Sequence, residues 1–244
     1  MSDAEPTGEL AGRRALIHVG GSVAAIKAGD VITLLRRRGV ETRVAMTASA
    51  THFITPLSLR SLSGHAVVTD LFAEARGRRP GGRTAAVVEG AGGGIAAGPE
   101  AGHGMEHLEL SAWAEVQVAV AASANLIARI ALGLADDAVT TTALACRAPL
   151  VIAPAMETAM WEHPATRGHV QTLRDRGAMF VGPVAGRLAS GHEGMGRMAE
   201  PAEIVEAVAA LLGGRASTGP GGAEESPIPE LPSGLLGTSG GSGG

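Results

Sequence analysis

The stretch RRALIHVGGSVAAIKAGDVITLLRRRG, residues 13–39, carries three signals in a row. A short apolar run, Ala15 to Val19, meets a Gly-Gly-Ser turn at 20–22. An amphipathic segment follows and stops at Gly39, with three arginines at its end, where cations complement the helix dipole. This is a strand, a tight turn and a helix. The same order recurs in ETRVAMTASATHFI (41–54), where a Thr/Ser-rich turn follows Met46, and in EVQVAVAASANLIARIALG (115–133), where the turn is Ser-Ala-Asn. RAPLVIAPAM (147–156) reads as a fourth strand. GAMFVGPV (177–184) reads as a fifth, after a helix around RGHVQTLRDRG, and PAEIVEAVAALLGG (201–214) is a closing helix with proline near its start.

Apolar strands alternating with helices give a parallel sheet covered on both faces. The expected fold is therefore α/β: a doubly wound, Rossmann-like (flavodoxin-like) sheet. It is expected to occupy residues 12–212. The Gly-rich run 76–104 is too long for an ordinary loop and reads as a mobile insertion. The Gly/Pro/Ser-rich tail 213–244 has almost nothing to bury and reads as disordered.

Composition narrows the function. A net charge of −4 with scattered arginines gives no nucleic-acid surface. The single Cys146 excludes a disulfide framework and fits a reducing compartment. No signal peptide or membrane-length apolar run is present, so a cytoplasmic protein is expected. With no Tyr and few Phe or Trp, the core consists of small aliphatic residues, and burial against further subunits is expected.

In a doubly wound sheet, ligands bind beyond the carboxyl ends of the strands. The turns there are Gly20-Gly21-Ser22, Thr47-Ala48-Ser49, Ser123-Ala124-Asn125 and Pro154-Ala155-Met156-Glu157. Small and hydroxylic residues suit close backbone approach to a phosphate at helix N-termini. They are equally the ordinary N-cap residues. GGSVAA is not the GxGxxG fingerprint, so a nicotinamide dinucleotide is not favoured.

Taken in order, the motifs GGSVAAIKA, MTASATHF, MEHLELSAWAEVQVAVAASAN, GLADDAVTT, APAMETAMW and GRLASGHEGMGRMAEP resemble those of the homo-oligomeric flavin-containing cysteine decarboxylases. That family includes phosphopantothenoylcysteine decarboxylases and lantibiotic-type peptidyl-cysteine decarboxylases. The resemblance implies flavin mononucleotide (FMN), or FAD as in some relatives. It implies cofactor contacts from Gly20, Gly21, Ser22, Thr47, Ser49, Ser123, Ala124, Asn125, Asp137, Thr140 and Ala155, with Asp136 and Thr141 in the same motif. It implies His107 as the catalytic base that takes the substrate's thiol proton. It also implies a substrate clamp from Glu157, Met160, Trp161, Arg187, Leu188, Ala189 and Ser190, with Met156 in its apolar wall, loops 154–161 and 187–198 forming the clamp, and GHEGMGRM as a flap ordered by substrate. Trimers, or trimers assembled into dodecamers, are implied too. No metal is expected.

Three positions depart from the family pattern. Ala121 stands where relatives carry Pro, which is expected to loosen the turn slightly. Glu157 stands where an Asn grips the substrate carboxylate. Two like charges about 4 Å apart repel by roughly 4 kcal/mol at an effective dielectric of ~20. Glu157 must then be protonated, or be faced by a cation such as Arg187 or Arg197, or the substrate must be held differently. Ser190 stands where phosphopantothenoylcysteine decarboxylases carry the Cys that donates a proton in the reductive half-reaction. Without that thiol the reaction is expected to end at an enethiol. The expected function is therefore oxidative decarboxylation of the C-terminal cysteine of a ribosomally made precursor peptide. The alternatives are phosphopantothenoylcysteine decarboxylation in coenzyme A biosynthesis, with a small cysteine-containing substrate, and a catalytically inactive flavin-binding regulatory subunit.

Overall fold

The computed structural model describes residues 8–71 and 106–214. The expected insertion at 76–104 and the tail beyond residue 214 lie outside the described residues. The chain runs β1 (Arg14–Val19), a 3₁₀ turn (Val23–Lys27), α1 (Ala28–Arg37), β2 (Glu41–Met46), a second 3₁₀ turn (Ala48–His52), α2 (Pro56–Ser63) and β3 (Val67–Val68). It continues with α3 (Glu106–Trp113), β4 (Val116–Ala122), α4 (Ala124–Leu132), α5 (Ala138–Ala145), β5 (Leu150–Pro154), α6 (Thr158–Glu162) and α7 (Pro164–Asp175). Last come β6 (Met179–Phe180), β7 (Val184–Arg187), β8 (Glu193–Arg197) and α8 (Pro201–Gly213).

Six strands form one parallel sheet in the order β3-β2-β1-β4-β5-β6. The doubly wound α/β class expected from the sequence is the class observed. The expected five strands become six, because Val67–Val68 adds an edge strand too short to announce itself by alternation. A separate antiparallel pair, β7 and β8, stands outside the sheet.

Side chains alternate across the sheet, and each face has its own core. Ile17 and Val19 point to one side, with Val31, Ile32 and Leu35 of α1, Leu59 of α2 and Ile204 and Val208 of α8. Leu16 lies in the other core, with Leu110 of α3, Leu126 and Ile127 of α4, Val139 of α5 and Leu173 of α7. Each fully buried Leu or Ile contributes roughly 1.5–3 kcal/mol. The arginines that end α1 anchor it: Arg36 donates to the Leu62 carbonyl and Arg38 pairs with Glu206 on α8. Among the described residues, no helix is long and apolar enough to cross a membrane.

Polar groups are buried in this frame as well, His18 and Gln117 among them. His18 of β1 is fully buried, and its Nε2 lies 3.0 Å from Gln117 Oε1 on β4. Gln117 spends its amide hydrogens on the carbonyls of Ala148 (2.9 Å) and Cys146 (3.2 Å). Its oxygen therefore accepts, so His18 Nε2 carries the proton. Burial lowers the His18 pKa from 6.5 to about 4, outweighing the Gln117 hydrogen bond and the charge of Asp137, which both raise it. Between these values the unfolded chain binds a proton that the folded chain refuses. Stability is thus greatest above pH 6.5 and falls as pH drops toward 4, by about 3 kcal/mol in all. Denaturant titrations at neutral pH and near pH 4 should show this loss, and His18→Asn, though less stable at pH 7, should show a much shallower one.

Candidate functional site

The site begins where the sheet reverses its winding, between the carboxyl ends of β1 and β4. The Gly20 N–H donates to the Val120 carbonyl at 2.8 Å. A Cβ at Gly20 would lie 2.4 Å from the Ala121 carbonyl oxygen, and one at Gly21 would lie 2.3 Å from Ser49 Cβ. Only glycine lets the first turn approach both its neighbours. Ala121 does not behave as a loosened proline position. It holds φ +56 at a register shift in the β4–β5 pairing, a backbone that proline's fixed negative φ could not adopt. The result is a strained bulge that pushes the Ala121 carbonyl against Gly20.

Ser22, Thr47 and Ser123 are all N-caps. Their side chains accept from the N–H groups of Ala24 (3.2 Å), Ala50 (3.2 Å) and Leu126 (3.3 Å). Capping uses only an acceptor lone pair, so a capping serine still has its hydroxyl proton to donate to a ligand. Thr47 differs, because its hydroxyl already donates to the Val19 carbonyl at 3.3 Å. Ser49 is exposed at the second turn, while Ala124 and Asn125 open α4, with Asn125 exposed.

Beside Ser22 and Ala155 lies a cavity of about 510 Å³. Its walls are largely apolar, from Val23, Ile26, Met156, Leu188 and Met198, with Lys27, Glu157, Arg187 and Arg197 as the charged groups. Val23 and Ile26 are 48% and 59% exposed, which marks the mouth as an apolar surface left uncovered among the described residues. Lys27 and Arg197 share one counter-ion, Glu200, at 3.0 and 3.2 Å. Lys27 draws the Glu200 carboxyl below its usual pKa. Glu157 is half-buried; among the described residues neither it nor Arg187 has a side-chain hydrogen bond or ion pair.

The expected clamp loops take a more regular form. Residues 158–162 are the helix α6, and GHEGMGRM is mostly strand β8, paired with β7 so that Arg187 stands opposite Glu193. Its glycines serve docking. The Met156 N–H donates to the Gly196 carbonyl at 3.0 Å. A Cβ at Gly196, where φ is +154, would lie 2.1 Å from the Met156 carbonyl oxygen, and one at Gly194 would lie 2.2 Å from Thr158 Oγ1. The hairpin is thus seated directly on residues 156–158.

The expected apolar wall also changes. Met156 lines the cavity, but Met160 and Trp161 do not: Met160 is exposed and Trp161 packs against the second core. Ala189 lines the cavity beside Leu188, while Ser190 sits exposed at the hairpin tip, where its Oγ accepts weakly from the His192 N–H at 3.4 Å.

His107 lies in the first turn of α3, half-buried, and is not among the residues lining this cavity. Its carbonyl lies 2.6 Å from Ser111 Oγ, which also approaches the Thr142 carbonyl at 3.1 Å and so ties α3 to α5. Asp137 and Thr140 form a capping box at the start of α5, and Arg129 binds both Asp136 and Asp137. Their side chains are occupied by local structure. Lys27 escaped the sequence reading; its only signal was its place one turn beyond the Gly-Gly-Ser cap. Among the described residues there is no group of three or more His, Cys, Asp or Glu that could hold a metal.

A parallel doubly wound sheet with small-residue turns at its switch point defines a phosphate-binding cofactor protein. Residues 3–213 match the Flavoprotein family model, and the chain belongs to that family. It is 38% identical over 197 residues to the coenzyme A biosynthesis bifunctional protein CoaBC of Escherichia coli K12. That alignment covers 81% of this chain and 42% of CoaBC, so the chain spans less than half the length of this relative. The structure resembles the FMN-dependent cysteine decarboxylase SpaF, with 34% identity, a TM-score of 0.62, and coverage of 83% of this chain and 97% of SpaF. It also resembles a Cys-to-Ser mutant of PPC decarboxylase complexed with pantothenoylaminoethenethiol, with 33% identity, a TM-score of 0.66, and coverage of 82% and 97%.

These relatives bear out the expected flavin-dependent cysteine decarboxylase class and the expected FMN. They overturn the peptide-maturation expectation, because the sequence relative is a coenzyme A biosynthesis protein and a structural relative is PPC decarboxylase. The reasoning from Ser190 gave one side chain too much weight against the whole chain. At Gly20 and Gly21 the missing Cβ lets these turns close on Ala121 and Ser49, which leaves the hydroxyls of Ser22 and Ser123 at the same sheet edge.

Gly196→Ala should unseat the hairpin and cost on the order of a few kcal/mol, because the clashing atom is backbone. Gly168→Ala in α7, where an added Cβ meets nothing within 4 Å, should instead stabilise by about 0.5–1 kcal/mol. Thermal denaturation of the two variants, with proteolysis at residues 184–197, checks the contrast.

Proposed function

We propose that the protein is an FMN-dependent decarboxylase of phosphopantothenoylcysteine, converting its cysteine to a cysteamine within coenzyme A biosynthesis. The observation that carries this reading is the 38% identity to CoaBC over 197 residues. The cavity beside Ser22 and Ala155, with its cationic rim, supports it, because the substrate is an elongated anion ending in a phosphate.

When bound, FMN supplies a two-electron acceptor that takes the pair released at the substrate's β-carbon and later returns it. Gly20, Gly21, Ser22, Thr47 and Ser49 hold its phosphate and ribityl region, with Ser123, Ala124, Asn125, Asp137, Thr140 and Ala155 around the remainder. His107 takes the thiol proton as the β-carbon is oxidised to a thioaldehyde, a transfer for which a neutral imidazole nitrogen is the suitable acceptor. Carbon dioxide leaves, and the electrons of the broken bond delocalise onto sulfur as an enethiolate. Return of the electron pair, with one proton to each carbon of the double bond and one to sulfur, gives the saturated thiol. Met156, Leu188 and Ala189 exclude water from the reacting carbon.

The hairpin tip limits the second half. A serine hydroxyl is a far weaker acid than a thiol, so Ser190 is a poor proton donor. The complex of a Cys-to-Ser PPC decarboxylase with an unsaturated thiol is in keeping with this. His107 stands apart from the cavity's lining residues, which supports a complete site formed between subunits of a trimer, or of trimers assembled into a dodecamer. The absence of a membrane-crossing helix among the described residues agrees with a cytoplasmic setting.

Incubating the FMN-loaded protein with phosphopantothenoylcysteine should release carbon dioxide; a substrate recovered intact would refute the reading. His107→Asn should lower turnover about 10²–10⁴-fold while flavin uptake is unchanged. Ser190→Cys should speed the return of the electron pair, read by mass spectrometry as a smaller share of released enethiol, the product lacking carbon dioxide plus two hydrogens, beside the saturated thiol that lacks carbon dioxide alone.

A further inference from the structure

The cavity is lined by three cations, Lys27, Arg187 and Arg197, and by one carboxylate, Glu157. Lys27 and Arg197 share the Glu200 carboxylate between them. Arg187 and Glu157 are left without a partner among the described residues, although both line the same space. Their placement is set by backbone. Glu157 is held by the Met156–Gly196 hydrogen bond and the close seating of Gly194 on Thr158. Arg187 is held opposite Glu193 on the same hairpin. An opposite pair held apart in a largely apolar cavity is suited to a ligand that carries both a donor and an anion.

The proposed substrate presents these groups on a single carbon: the amide N–H and the carboxylate of its acylated cysteine. Glu157 cannot take the carboxylate, because like charges repel and an ionised carboxylate has no proton to donate. Arg187 can take it, through a planar fork that matches a carboxylate. The N–H then remains for Glu157. Building on the function proposed above, we infer that Glu157 selects the substrate by accepting a hydrogen bond from its cysteine N–H, while Arg187 pairs with its carboxylate. The ligand class is an N-acylated cysteine with a secondary amide. Tertiary amides and esters at that position are rejected, because they leave Glu157 unpaired next to an apolar wall.

Equilibrium binding of non-oxidisable analogues tests this on the FMN-loaded protein. The probes are phosphopantothenoylserine, its N-methyl form and its carboxamide, titrated by calorimetry. Glu157→Gln should weaken phosphopantothenoylserine by roughly 10–100-fold, the range of a charge-assisted hydrogen bond, and leave the N-methyl form unchanged. Arg187→Gln should weaken phosphopantothenoylserine and leave the carboxamide unchanged. Equal losses of the N–H and N-methyl probes in Glu157→Gln, or tighter binding of the N–H probe, would overturn the inference while the functional proposal stands. Failure of the unsubstituted protein to bind any of the three would overturn both. Flavin absorbance and thermal midpoints of the variants separate binding losses from unfolding.

Discussion

Backbone has to meet backbone at the carboxyl edge of this sheet, and the rest of the site depends on that approach. At four glycines of this edge an added carbon would fall 2.1–2.4 Å from a neighbouring atom: Gly20 against the Ala121 carbonyl, Gly21 against Ser49, Gly194 against Thr158 and Gly196 against the Met156 carbonyl. The first two draw the turns after β1, β2 and β4 into one cradle. The other two seat a hairpin over the turn after β5. Side chains decorate this framework, but missing side chains create it. The same closeness explains the strained Ala121, whose positive φ is held by β-pairing on both sides.

The two cores answer to different demands. The core beneath α1 and α8 is built from aliphatic side chains and methionines and supports the first turn, whose Gly-Gly-Ser leads into α1 through a 3₁₀ turn. The other face carries the His18–Gln117 chain, which reaches the carbonyls of Cys146 and Ala148 and so ties β1 and β4 to the segment entering β5. This pair is tolerated because each member spends its hydrogens on a defined partner, with His18 Nδ1 as the one atom of the pair left over.

Much of the fold was legible in the chain. Residues 13–39 and 115–133 state strand, turn and helix without ambiguity, and their repetition defines the class. Val67–Val68 and Met179–Phe180 were harder to read, since a two-residue strand has no period. The hairpin was misread because Gly194 and Gly196 resemble flexibility; their purpose emerges only when Thr158 and Met156 are seen against them. In the site, the turns were found from their small hydroxylic residues, and Glu157 and Arg187 do reach one cavity. Trp161 was misplaced because spacing cannot say whether an aromatic after α6 begins faces ligand or core. Ser190 argued for a peptide substrate, but one side chain could not outweigh an alignment covering four-fifths of the chain.

The bridge from Lys27 through Glu200 to Arg197 has a consequence for capture. One carboxylate shared between two cations leaves the mouth with surplus positive charge, in a chain whose overall charge is −4. Such a local inversion of sign draws an anion toward the opening while the surrounding surface repels it, and this steers arrival more than it strengthens retention. Mobile ions weaken that steering beyond about 8 Å at physiological ionic strength. Added salt should therefore slow the encounter well before it loosens what has already been enclosed.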